Sequence, residues 1–62
     1  MEDTVLTPRE VAERLRVHEA TVRRWIREGL LPGAKFGRSY RIREKDLHEF
    51  WEKAMQEGVH EE

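Results

Sequence analysis

Three residues, Arg16-Val17-His18, separate two stretches of helical apolar spacing. A connector this short leaves the two helices to meet at an angle with their apolar faces together. The first stretch opens on Thr7-Pro8-Arg9-Glu10. Thr7 is a capping residue, Pro8 suits the first helical position, and Glu10 lies three residues on from Thr7 to complete a capping box. Val5 or Leu6 is placed to staple onto Val11 or Ala12. Val11, Ala12 and Leu15 then mark one face, which predicts a helix over 8–15. The second helix is predicted over about 19–28, with Val22, Trp25 and Ile26 at helical spacing. Gly29 stands where a left-handed terminal residue belongs.

Beyond Gly29, Leu30-Leu31 reads as an apolar plug and Pro32-Gly33 as a turn. Ala34-Lys35-Phe36, Gly37-Arg38-Ser39 and Tyr40-Arg41-Ile42 then read as strand, tight loop and strand. By period-two alternation Phe36, Tyr40 and Ile42 are expected to face inward, and Lys35 and Arg41 outward. An isolated hairpin is marginal in water, so this one must lean on the helices. Leu47, Phe50, Trp51 and Ala54 recur at helical spacing and predict a third helix over about 44–57, with Glu44 and Asp46 in the first turn, where the helix dipole favours acids. Gly58 is expected to end it, and residues 1–4 and 58–62 to fray. The expected architecture is mainly α with a small two-stranded β-hairpin: a winged helix-turn-helix of three helices plus a wing, as a single domain over 1–62.

A chain of 62 residues buries only about 60% of the surface its unfolded form exposes, which leaves little room for a water-shielded catalytic pocket. No enzymatic activity is expected. With no cysteine there is no disulfide framework and no thiolate metal site. His18, His48 and His60 are too scattered for a metal site, Asp46 and Glu49 read as surface residues rather than a catalytic pair, and no cofactor is expected. No apolar run approaches a membrane span, so the expected location is the cytoplasm. The net charge of −1 hides a strong asymmetry: residues 9–43 carry ten Lys or Arg against four acids, whereas residues 44–62 carry two against seven. A basic body with an acidic end is a composition that points towards nucleic acid.

The layout of the second helix sharpens that reading. At about 100° per residue, Ala20, Arg24 and Arg27 lie opposite Val22, Trp25 and Ile26, with Thr21 and Arg23 on the flanks. Small Ala20 admits a close approach to base edges, and Thr21 is suited to a base or a phosphate. Arg24 is the candidate for a bidentate guanine contact, while Arg23 and Arg27 are expected to bond phosphates. Lys35, Arg38 and Arg41 project from the hairpin, with Arg38 at its tip as the minor-groove probe.

Leu6-Thr7-Pro8-Arg9-Glu10-Val11-Ala12, Thr21-Val22-Arg23-Arg24-Trp25-Ile26-Arg27-Glu28-Gly29, Leu31-Pro32, Lys35-Phe36-Gly37-Arg38-Ser39-Tyr40-Arg41-Ile42 and Asp46-Leu47 together resemble the excisionase-like helix-turn-helix domains, relatives of the DNA-binding part of MerR-type regulators. The resemblance covers about residues 5–52. It implies a helix over 19–28 in the major groove and a wing over 35–41, with Gly37–Tyr40 as its core, on the backbone or in the minor groove. By matching position it supports Thr21, Arg23, Arg24 and Arg38 as DNA contacts, and Ser39 within the wing joins the candidates. The implied roles are recombination directionality factor or small transcriptional regulator, binding double-stranded DNA. Two positions depart from the family pattern. Arg16 stands where Gly is frequent, and it carries a cost of roughly 1–2 kcal/mol if its backbone is left-handed. His18 stands where Ser often caps, and it is a poorer cap.

One recognition helix and one wing touch few base pairs, so useful specificity calls for several copies on adjacent sites. The expectation is head-to-tail self-association on DNA repeats, the acidic last helix of one copy near the basic wing of the next. The alternative is a protein-interaction adaptor, an integrase or regulator partner, that works through the acidic third helix. Trp51 is expected in the core under the first reading; under the second it forms a partner surface with Met55.

Overall fold

The computed structural model describes residues 4–57. Its elements run β1 (Val5–Leu6), α1 (Pro8–Leu15), α2 (Glu19–Arg27), β2 (Ala34–Phe36), β3 (Ser39–Arg43) and α3 (Glu44–Glu57). Three helices and an antiparallel hairpin make it a winged helix-turn-helix.

Each helix end has a local cause. At α1 the Thr7 side chain accepts from the Glu10 N–H at 3.1 Å while the Glu10 carboxylate accepts from the Thr7 N–H at 2.9 Å, so the capping box is closed on both sides. The helix stops at Arg16, whose φ of 59° and ψ of 46° turn the chain left-handed. The Val17 N–H then reaches back to the Ala12 carbonyl at 3.0 Å, the six-to-one bond of a Schellman-type ending. Helix α2 starts at His18 with no side-chain cap, as a histidine there implies. It ends one residue earlier than the spacing suggested. Gly29, with φ of 80°, lets Leu30 N–H bond the Trp25 carbonyl at 2.9 Å, the same six-to-one closure. This ending drops Leu31 into the core, 1% exposed, but leaves Leu30 outside at 53%, so only half of the expected apolar plug is a plug.

The core is Leu6, Val11, Ala12, Val22, Trp25, Leu31, Ile42 and Leu47, with Leu15, Val17, Ile26 and Phe50 at its border. Trp25 and Phe50 join α2 to α3, their ring centroids 5.1 Å apart at a tilt of 42°. Trp51, expected to share this core, is 46% exposed instead: it borders an open cleft with Leu15, Val17, Trp25 and Phe50 at the edge of the core.

The sheet departs from expectation in two ways. It has a third strand: β1 pairs with β3, Leu6 opposite Ile42 and Val5 opposite Arg43, giving the order β1-β3-β2. Thr4, placed in the frayed tail by the sequence, is tied down as well, its carbonyl accepting from the Glu44 N–H at 2.8 Å. The remaining residues expected to fray, 1–3 and 58–62, lie outside the described residues. The hairpin turn is also shorter than the sequence suggested. Phe36 pairs with Ser39, so Gly37-Arg38 alone makes the turn. Positive φ at Gly37 and not at Arg38 is the pattern of a type II′ turn.

That single residue matters because residues paired across antiparallel strands share a face, and a shift of one exchanges the faces of a whole strand. Lys35 pairs with Tyr40 and lies on the inner face with buried Ile42. Phe36 pairs with Ser39 on the outer face and is 65% exposed. The expected inward Phe36 and outward Lys35 are therefore reversed.

Candidate nucleic-acid interface

Helix α2 presents its two sides largely as the spacing predicts. Val22 and Trp25 are buried, and Ala20 and Arg27 are exposed. Arg23 on the flank is partly exposed, and so is Arg24, which was expected on the fully open side. Thr21 departs further. Expected on the open flank, it is 7% exposed, because it faces inward beside Val22 rather than outward beside Ala20.

Among the described residues, no carboxylate pairs with Arg24, Arg27 or Arg38. Arg23 differs. Its Nε and Nη2 donate to Glu19 Oε2 at 3.2 and 3.0 Å, one helical turn back, and its guanidinium lies 5.9 Å from the centre of the Tyr40 ring. The Lys35 ammonium approaches the same ring at 5.9 Å. Both distances fall within cation–π range. Tyr40 thus brings a cation of α2 and a cation of the wing to one place, where α2 and the inner face of the hairpin adjoin.

The register divides the other wing candidates. Arg38 occupies the exposed turn. Arg41 and Ser39 lie on the outer face, and Arg41 Nη1 bonds the Tyr40 carbonyl at 3.1 Å. The outer face is otherwise Val5, Ala34, Phe36 and Arg43, an apolar cleft between arginines that points away from Lys35. The structure therefore brings Ala20, Arg24, Arg27, Arg23 and Lys35 into one continuous surface and leaves Arg41 and Ser39 on the far side of the wing. Glu19 and Tyr40 belong to that surface although neither was among the sequence candidates. The spacing of Glu19 and Arg23, four apart on a helix, was a readable sign of the ion pair. The inward place of Tyr40 follows from alternation with Ile42; what depends on the turn length, and was not readable, is that Lys35 rather than Phe36 faces it.

Two further ion pairs hold the frame behind this surface. Arg43 forms a fork with Asp46 at 2.8 and 3.0 Å at the junction of β3 and α3. Arg14 bonds Glu44 at 2.7 Å across from α1. That hydrogen bond, with the attraction of the Arg14 charge, holds the Glu44 carboxyl below its usual pKa. No group of His, Asp and Glu among the described residues is arranged to hold a metal ion. No helix among them is long and apolar enough to cross a membrane.

Comparison with known proteins places this geometry. Two Mycobacterium tuberculosis proteins, "Putative DNA-binding protein Rv0500A" of strain H37Rv and "Putative DNA-binding protein MT0521" of strain CDC 1551, are each 42% identical to the chain over 48 residues. The aligned stretch is 77% of this chain and 62% of each relative, so the chain spans less than two thirds of the length of the curated relatives it matches. No solved structure matches the chain. A family described as "Helix-turn-helix domain" matches residues 5–55, which take in β1, both helices of the pair, the wing and nearly all of α3. The chain belongs to this family of excisionase-like helix-turn-helix domains.

Proposed function

We propose that the protein binds double-stranded DNA with sequence preference, as a small transcriptional regulator or an excisionase-type recombination directionality factor. Helix α2 enters the major groove, and the wing lies on the backbone or in the minor groove. One observation carries this reading: Arg24, partly exposed, and Arg27, exposed, stand on α2 without carboxylate partners among the described residues, while Lys35 of the wing converges with Arg23 at the Tyr40 ring. The second helix of such a pair is the element that docks in the groove, its first residues nearest the bases. Ala20 there lets the backbone approach, Arg24 suits a guanine edge, and Arg27, Lys35 and Arg38 suit phosphates. The names given to the mycobacterial relatives point the same way. On this reading residues 1–62 act as one domain in the cytoplasm, without catalysis or cofactor.

Salt titration tests it. Phosphate contacts make log K fall with log salt by about 0.9 per contact on duplex DNA. Arg24→Ala is expected to relax preference for one base pair, and Lys35→Ala to weaken all duplexes alike. Affinity that does not change with salt, or two variants with wild-type binding, would remove the proposal. Head-to-tail assembly belongs to the same reading. Sedimentation on a duplex with two adjacent sites is expected to show cooperative filling, and strictly independent occupancy would refute it.

A second reading has its own observation. Trp51 and Met55 are 46% and 68% exposed along the acidic α3, a surface suited to a protein partner such as an integrase. If Trp51→Ala abolished a protein complex while Arg24→Ala and Lys35→Ala left DNA binding unchanged, this adaptor role would stand instead.

A further inference from the structure

We infer that Arg23 reads a base rather than a phosphate, and that Glu19 and Tyr40 are the positioning residues that make it do so. The inference rests on the DNA-binding reading above and reverses the phosphate role that helical spacing suggested for Arg23.

An arginine that serves a phosphate works by bringing net positive charge to the backbone and releasing counterions. Arg23 brings little, because Glu19 Oε2 already accepts from both its Nε and its Nη2. A phosphate drawn to this fork would also meet a carboxylate one helical turn away. Arg27, exposed and with no carboxylate partner among the described residues, is the better phosphate ligand on this helix. A neutral base edge imposes no such penalty. Guanine offers the O6 and N7 acceptors that a guanidinium fork matches, and cytosine offers an N4 amine that a carboxylate accepts.

Geometry adds to charge. Glu19 occupies one edge of the guanidinium and leaves the rest of the fork to donate. The Tyr40 ring lies 5.9 Å from that guanidinium. Side chains held on two sides lose less freedom on binding, and a fixed fork discriminates between bases better than a mobile one. Glu19 is the first residue of α2, the end that reaches the bases in this kind of docking, and Glu19 Oε1 is not engaged by Arg23. The arrangement fits a G·C pair: the Arg23 fork on guanine, with Glu19 Oε1 within reach of a cytosine amine on the same or the adjacent pair. Tyr40 adds a link to the wing, since Lys35 flanks the same ring. The stance of the wing and the aim of Arg23 are therefore set by one side chain.

The test uses the 62-residue chain and a duplex selected by it from a random pool, together with single base-pair substitutions of that duplex and an unrelated duplex of equal length. Glu19→Gln keeps the side-chain shape and removes the charge. It is expected to cut discrimination at one G·C pair roughly tenfold, within the range of a lost bidentate contact. It is also expected to tighten binding to the unrelated duplex and steepen the salt slope by about 0.9, as Arg23 turns to a phosphate. Arg23→Lys, which cannot form the fork, should lose discrimination at that same pair. Tyr40→Leu should lose it as well, and Tyr40→Phe, which keeps the ring, should restore it. Circular dichroism checks that each variant is folded. If Glu19→Gln left discrimination and salt slope unchanged, or if Arg23→Lys weakened all duplexes equally, the inference would fail while DNA binding stood. If the wild-type chain bound no duplex, both would fall together.

Discussion

Replacing Arg16 by glycine should stabilise this protein. Arg16 closes α1 with φ of 59° and ψ of 46°, and it is the sole non-glycine residue with positive φ among those described. Its Cβ meets the following carbonyl in that conformation, at a cost of roughly 1–2 kcal/mol. Glycine removes the clash but brings a larger loss of backbone freedom on folding, about 0.5–1 kcal/mol. The net expectation is a gain of about 0–1.5 kcal/mol, with a midpoint of about 0.75 kcal/mol, which for a domain of this size is a rise of about 3–6 °C in Tm. Arg16 is exposed, so a second variant separates backbone from side chain. Arg16→Ala removes the guanidinium and keeps the strain, and should lie within about 0.5 kcal/mol of the wild type. Urea unfolding followed by tryptophan fluorescence, with thermal unfolding by circular dichroism, measures all three. A glycine variant no more stable than the alanine variant would refute the reasoning, since the two differ only in whether a Cβ is present.

Phe36→Ala should cost less than about 0.5 kcal/mol by urea unfolding, because the ring is 65% exposed; a loss near the 3–5 kcal/mol of a core phenylalanine would show that the wing register is wrong. Thr7→Ala opens the capping box and should cost about 1 kcal/mol in the same assay, whereas Thr7→Ser should retain most of it. Glu44 has its pKa lowered by Arg14, so its contribution to stability is present at neutral pH and fades as acid takes the pH down through the lowered folded value. The expected result is that Glu44→Gln loses less stability than the wild type does between pH 5 and about pH 3, the size being small because the pair is exposed; identical acid limbs would show that the bond is not formed in solution.

The helices were legible because their ends are written in side-chain chemistry. Thr7, Pro8 and Glu10 announce the start of α1, and Gly29 announces the end of α2. The sheet was less legible. Val5-Leu6 is too short to show alternation, and its partner in β3 is far along the chain, so no local signal marks it as a strand. Gly37-Arg38-Ser39 reads as a three-residue turn, but the same residues also suit the two-residue turn that forms, and no local signal separates the two. That choice decided whether Phe36 or Lys35 faces Tyr40. The site inherited the same uncertainty. The arginines of α2 could be placed by angle alone, but the convergence of Arg23, Lys35 and Tyr40 follows from a strand register. Thr21 was misplaced for a different reason: a helical wheel gives direction, and the neighbouring body of the protein decides what that direction meets.

Strand β3 runs straight into α3, Arg43 being the last residue of one and Glu44 the first of the other. The joint is bolted by the Arg43–Asp46 fork and by the Thr4–Glu44 backbone bond. Wing and α3 therefore meet without an intervening loop. A tilt of β3 would carry the start of α3 with it, and truncation that removes Thr4 is expected to loosen the junction by taking away one of the bonds that fix it.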